Sequence, residues 1–243
     1  MECLQLATAQ LSTLALTFFA GDRASTAGIA TTAFNPLARP GELVVVLARG
    51  DTSSLSGKLA NKLAVEHFTE AVLDVGIAAA PVDAAASEAA QSFGSVVHKP
   101  RAVALLEAGF ERANQQIYAF GHKLAAGGTL ATSIIALAIS QGELAAARVG
   151  TGDVKFRRDG EDSWLFEAPD PASTTASKLT AGAFNGTVLV GAHRQLPVEF
   201  LNLEIIADDM IELYAAASDV AAYASWRITI GPATVFLDEV FRR

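Results

Sequence analysis

Acidic side chains beside turns are the residues of this 243-residue chain whose types and spacing could do chemistry. Asp51 closes the tripeptide Arg49-Gly50-Asp51, and Asp153, Asp209 and Asp219 stand in or beside later turns. A strand that ends in a polar turn just before a helix, as at Arg49-Gly50-Asp51, is where catalytic or metal-binding side chains are often displayed. The ordinary role of a turn aspartate is a hydrogen bond to nearby backbone, and that reading stands beside the first. Other chemistries lack their residues. His67, His98, His122 and His193 show no metal-ligand spacing, and the lone Cys3 can form neither an intrachain disulfide nor a thiolate cluster. A nucleophile elbow of the form G-x-S-x-G and a phosphate-binding P-loop are both missing.

The tripeptide ends a strand, ELVVVLA at 42–48, and precedes a Ser/Thr run at 52–56 that reads as a helix N-cap through Ser53 or Ser54. A helix follows over 54–75. Its apolar positions Leu55, Leu59, Leu63, Phe68 and Val72 recur at helical spacing, with Lys58, Lys62, Glu66 and Glu70 on the other side. A second helix is predicted over 101–124, carrying Val103, Leu106, Phe110, Ile117 and Phe120. The two suggest an antiparallel pair laid on one face of a sheet.

Around them, residues 11–20 read as a strand, and the polar stretch 21–40 as a loop through its second half, punctuated by Pro36 and Pro40. Residues 76–100 read as a short helix between loops. From Thr129 the texture is strands: a hairpin turning at Gln141-Gly142, VKFRR, a turn at Asp159-Gly160, SWLFEA, then 186–191, 199–206, 210–217 and a closing TVFLDEVF. There is neither an internal repeat nor a dividing linker. The expectation is one α+β domain over 1–243, rich in antiparallel strands.

Composition narrows the partners. The chain is 51% hydrophobic with mean hydropathy +0.33, yet no apolar run approaches the ~18 residues of a membrane span. A net charge of −8 disfavours nucleic acid and anionic membranes as main partners. The first 21 residues are apolar but carry Glu2 and no Lys or Arg before Arg23, so they lack the cationic start of an export signal. With a single cysteine, these features suit a cytoplasmic protein.

Three blocks resemble the metal-dependent serine/threonine protein phosphatases of type 2C, the PPM family. ARGDTSSLSGKLANKLAVE at 48–66 follows the pattern ADGMGGHxxGxxASxLAVE, and GTGDVKFRRDG at 150–160 follows GDSRAYLLRDG. FERANQQIY matches a helix pattern with ANxxI, followed by GGTLATS where the family has GTT. Weaker matches run at both ends. GDRASTAGIATTAF at 21–34 lies over SDVGRVRxxNEDAF, ADDMIELYAAASDV over GDxLLLCSDGL, and GPATVFL over DNATVIV. The short interval between the last two implies a domain trimmed of a C-terminal helix. The resemblance implies an antiparallel β-sandwich flanked by helix pairs, a four-layer αββα fold. In active members aspartates at the sandwich edge hold two Mg²⁺ or Mn²⁺ ions.

Carried over residue by residue, the resemblance implies that the chemistry is gone. The aspartate of the NED motif falls on Thr32, and the metal-bridging aspartate of the DG motif on Arg49. Its glycine, which lends a carbonyl to a metal, is kept as Gly50. The aspartates of SDG and DNAT fall on Ala216 and Gly231, and the phosphate-gripping arginine on Ala27. These positions imply a pseudophosphatase without catalytic residues or metal cofactor, acting on protein partners as a scaffold or regulator. A phosphoprotein or kinase-pathway component would be such a partner. The alternatives are an active Mg²⁺- or Mn²⁺-dependent phosphatase with relocated ligands, for which a three-residue slide puts Asp219 on the SDG position, and a phosphoprotein reader. Arg49 itself could pair with Asp22, Asp51, Asp209 or Asp219, hold a partner's phosphate, or be a solvated turn residue.

Overall fold

Apolar side chains on both faces of the central strands set the architecture. The computed structural model describes residues 29–36, 42–50, 54–78, 99–124, 130–140, 142–166, 188–214, 223–230 and 235–242. Strand β1 spans Ile29–Phe34 and β2 Leu43–Arg49, and helices α1 and α2 span Leu55–Ala78 and Arg101–Lys123. Strands β3 (Ser133–Ser140), β4 (Glu143–Val149), β5 (Asp153–Arg158) and β6 (Glu161–Trp164) follow. The remainder are β7 (Glu199–Glu204), β8 (Met210–Tyr214), β9 (Tyr223–Ile230) and β10 (Val235–Arg242). All pair antiparallel, in two five-stranded sheets ordered β1-β2-β3-β4-β7 and β10-β9-β8-β5-β6.

The inner strands of the first sheet are buried on both sides, which is why β2 and β3 read as unbroken apolar runs, while its edge strand β7 is partly exposed. Val44, Val46, Ala48, Ile134, Ala136 and Ala138 face the helices, while Leu43, Val45, Leu47, Ile135, Leu137 and Ile139 face the second sheet. The second sheet alternates instead. Val154, Phe156, Ile211, Leu213, Trp226 and Ile228 point inward. On its outer side, Asp162 takes ion pairs from Arg157 and Lys155, and Glu212 pairs with Arg227. The two sheets are also tied by a buried polar link: the Trp226 indole donates to Thr31 Oγ1 at 2.6 Å, and that hydroxyl donates to the Val46 carbonyl at 2.8 Å.

Helix α1 begins where the Ser54 hydroxyl accepts the Gly57 N–H at 3.0 Å, one of the two caps anticipated. It packs antiparallel on α2. The Phe68 ring lies over Gly109, where an added Cβ would stand 2.5 Å from it, and meets Phe110 edge-on at 5.5 Å. Among the described residues, no helix is long and apolar enough to cross a membrane.

Several sequence expectations change. Residues 29–34 form β1, which takes in 31–34 of the expected loop, and 223–230, where no strand was expected, form β9, although Trp226, Ile228 and Ile230 alternate with Arg227 and Thr229. Of the expected strand at 186–191, the described residues 188–191 form one bridge, Thr132 with Val190, and Asn114 clamps the chain beyond Val190. The Asn114 amide donates to the His193 and Arg194 carbonyls, and its Oδ1 accepts the Gly191 N–H. The expected strand at 11–20 and most of the stretch 76–100 lie outside the described residues. The described layers are helices, sheet, sheet.

Candidate functional site

Arg49 closes β2, opposite Ile29 on one side and Ser133 on the other. Side chains alternate along a strand, so Arg49 lies on the face of Leu47 and Val45, towards the second sheet. It is half-buried and engaged within the molecule. Gly50, fully buried, lets the chain turn into α1. A Cβ there would stand 2.9 Å from both Asn61 Oδ1 and the Gly57 carbonyl oxygen. Only a residue without one fits between β2 and the first turns of α1.

Below Gly50 sits a layer of uncharged polar groups. Thr132, buried, donates to Asn61 Oδ1 at 2.5 Å and joins the start of β3 to α1. Ser133 Oγ accepts the Thr151 backbone N–H at 3.1 Å and the Thr151 hydroxyl at 3.2 Å. These bonds tie the β4–β5 turn to the start of β3, where Ser133 lies opposite Arg49. Gly150 makes the turn with φ +84°, and an added Cβ would lie 2.4 Å from Ser133 Oγ.

Among the described residues, the expected site residues do not converge. Thr32 pairs with Val46, three steps down the ladder from Arg49, and its side chain faces the helices rather than the second sheet. Asp153 begins β5 at the same end as Arg49 but on the outer face of the second sheet, opposite Tyr214. Burial pushes its carboxyl above the ordinary value. The Val154 N–H at 2.8 Å and the charge of Arg148 pull the other way without reversing it.

Asp209 corrects an expectation outright: it is no partner for Arg49. It precedes β8 at the far end of the sandwich, about 17 Å of strand from the Tyr214 end. Arg158 holds it through Nε at 2.9 Å and Nη2 at 2.7 Å, and it accepts the Ile206 N–H at 2.8 Å. Burial raises its carboxyl, but these bonds outweigh burial and hold it below the usual range. Nothing in the sequence alone marked Arg158 as its partner. Asp22, Ala27, Asp51, Ala216, Asp219 and Gly231 lie outside the described residues.

Among the described residues, no three His, Cys, Asp or Glu side chains gather where a metal ion could be held. Around Arg49 and Gly50 the described side-chain polar groups are hydroxyls, an amide and a guanidinium, and Asp153, the carboxylate at this end, lies on the outer face of the second sheet. They do not fit a dication, which needs several anionic oxygens.

No family model matches the chain, and no curated protein matches it. Solved structures do match. A bacterial serine phosphatase superposes with a TM-score of 0.56 at 11% identity, over 77% of this chain and 71% of that one. The serine/threonine phosphatase Stp1 from Staphylococcus aureus gives 0.54 at 12% identity, over 77% and 69%. At such identity the likeness establishes the fold. The chain has the α+β fold of the type 2C serine/threonine phosphatases, as its sequence blocks suggested.

Proposed function

We propose that this chain is a pseudophosphatase, a phosphatase-fold protein without the two-metal site that acts by binding other proteins as a scaffold or regulator. The observation that carries the reading is the Arg49 guanidinium at the end of β2, facing the second sheet, where the resemblance calls for a bridging carboxylate. Two unit charges about 4 Å apart at an effective dielectric of about 20 interact by roughly 4 kcal/mol, and a dication doubles the repulsion. A single relocated carboxylate would at best offset part of that. Because Arg49 is engaged within the molecule, a stiffened dead site is favoured over a phosphate-reading one. The lone cysteine is in keeping with a reducing compartment such as the cytoplasm.

Two measurements at millimolar Mn²⁺ test this reading: hydrolysis of a phosphothreonine peptide and thermal unfolding. A native metal site filled to ~100-fold its dissociation constant would add about 2.7 kcal/mol. The expected results are hydrolysis no faster than a metal-free blank and no saturable thermal shift. Mn²⁺-dependent hydrolysis abolished by Asp219→Ala would overturn the reading.

A further inference from the structure

We propose that the end of the helix pair beside Arg49 is a docking surface for an acidic amphipathic segment of a protein partner. Leu55, Phe120 and Leu124 would receive its apolar side chains, and Lys58, Lys62 and Lys123 its carboxylates. The proposal rests on the reading that this chain works by binding, and names the chemistry of what it binds.

The antiparallel pairing brings these residues to one end. From the contact of Phe68 with Gly109, an equal run of residues leads back along α1 to Leu55 and onward along α2 to His122, about 20 Å in each case. Two contacts pin both helices there to neighbouring residues of one segment. Asn61 of α1 bonds Thr132, and Gly121 of α2 packs against Leu130. The same end holds three of the most exposed large apolar side chains, with Leu55 83%, Phe120 38% and Leu124 56% accessible. Single exposed apolar residues are ordinary surface, but three at one helix-pair end are a candidate contact patch.

Charge supplies the second, independent observation. Helix α1 has no acid in its first turn and no base in its last. Lys58 and Lys62 stand in its first two turns, with Glu66, Glu70 and Asp74 further along, against the polarity of the helix dipole. Lys58 and Lys62 are also a like-charged i,i+4 pair, which costs stability again. Among the described residues, Lys58, Lys62 and Lys123 form no ion pair. Helix stability does not favour the lysines at this end of α1, and an acidic ligand does. A chain of net charge −8 would be repelled by an anionic membrane, whereas a peptide meets only the basic patch, within the Debye length of about 8 Å.

The test is a fluorescence-anisotropy titration of the full chain with a labelled helical peptide of about 18 residues, Leu at helical spacing and Glu elsewhere. Its counterpart with Lys in place of Glu is the control. The acidic peptide is expected to bind saturably and the basic one not at all. The double variant Lys58→Glu/Lys62→Glu should weaken binding about tenfold while raising the thermal midpoint by about 2 °C, because acids suit the start of α1. A purely structural role for these lysines would not separate the two readouts in that direction. Leu55→Ala should weaken binding with little change in stability, its side chain being so exposed. Equal binding of both peptides, no binding, or unchanged affinity in the double variant would overturn the proposal. So would binding to phosphatidylserine vesicles in place of the peptide, or a dimer dissolved by Leu55→Glu, which would give the surface to a membrane or a second copy. The titration does not depend on turnover, so its failure and that of the pseudophosphatase reading are told apart.

Discussion

Arg158 grips Asp209 through both Nε and Nη2, at the end of the sandwich opposite Arg49. The carboxylate is 1% exposed, and its remaining strong contact is the Ile206 backbone N–H. The pair therefore closes the β5–β8 end of the second sheet and takes no part in the candidate site.

Asp209→Asn should lower stability by about 2 kcal/mol, or about 4–8 °C in thermal midpoint, since it removes the charge of a buried, charge-assisted pair. The folded carboxyl lies below its ordinary 3.8, so its contribution is fully present above that value and is lost as pH falls through the folded one. The gap in midpoint between the native chain and the variant should close in acid, below about pH 4. A gap that stays constant from neutral to acid would contradict the assignment.

Asp153→Asn should act in the opposite direction. Its folded carboxyl lies above 3.8, so ionisation opposes folding, and stability falls as pH rises from 3.8 through the folded value. The amide keeps an acceptor for the Val154 N–H and removes the charge. A rise in midpoint of up to about 3 °C at pH 7, vanishing below pH 4, is the expected result. A fall at pH 7 would place Asp153 in a favourable ion pair instead.

Gly50→Ala should destabilise by about 2 kcal/mol whether or not any metal is added, because the new methyl meets the Gly57 backbone and Asn61. Unfolding measured with Mn²⁺ and with a chelator should give the same loss. A loss seen only with Mn²⁺ would assign the glycine to a metal.

The sequence exposed the parts of this fold that local pattern controls. The apolar run of β2, the capped start of α1 and the turn at Asp159-Gly160 follow from residue type alone, and Asp159 and Gly160 both adopt positive φ. Strand β1 was hidden because IATTAF is small, hydroxyl-bearing and near prolines, and its burial comes from neighbours rather than its own hydrophobicity. The face of Thr32 depends on register, which a gapless match of motifs does not resolve. The Arg158–Asp209 pair joins residues 51 apart, so no local spacing announces it.

The Asn61–Thr132 bond has a consequence for how such a protein can arise. It ties α1 to β3 with neutral groups, so the architecture around Gly50 holds without any ion to bridge it. Removing carboxylates from this end would then cost activity but little folding free energy. On the pseudophosphatase reading proposed above, stability would not oppose the loss of those carboxylates, and the frame around Gly50 would stay intact.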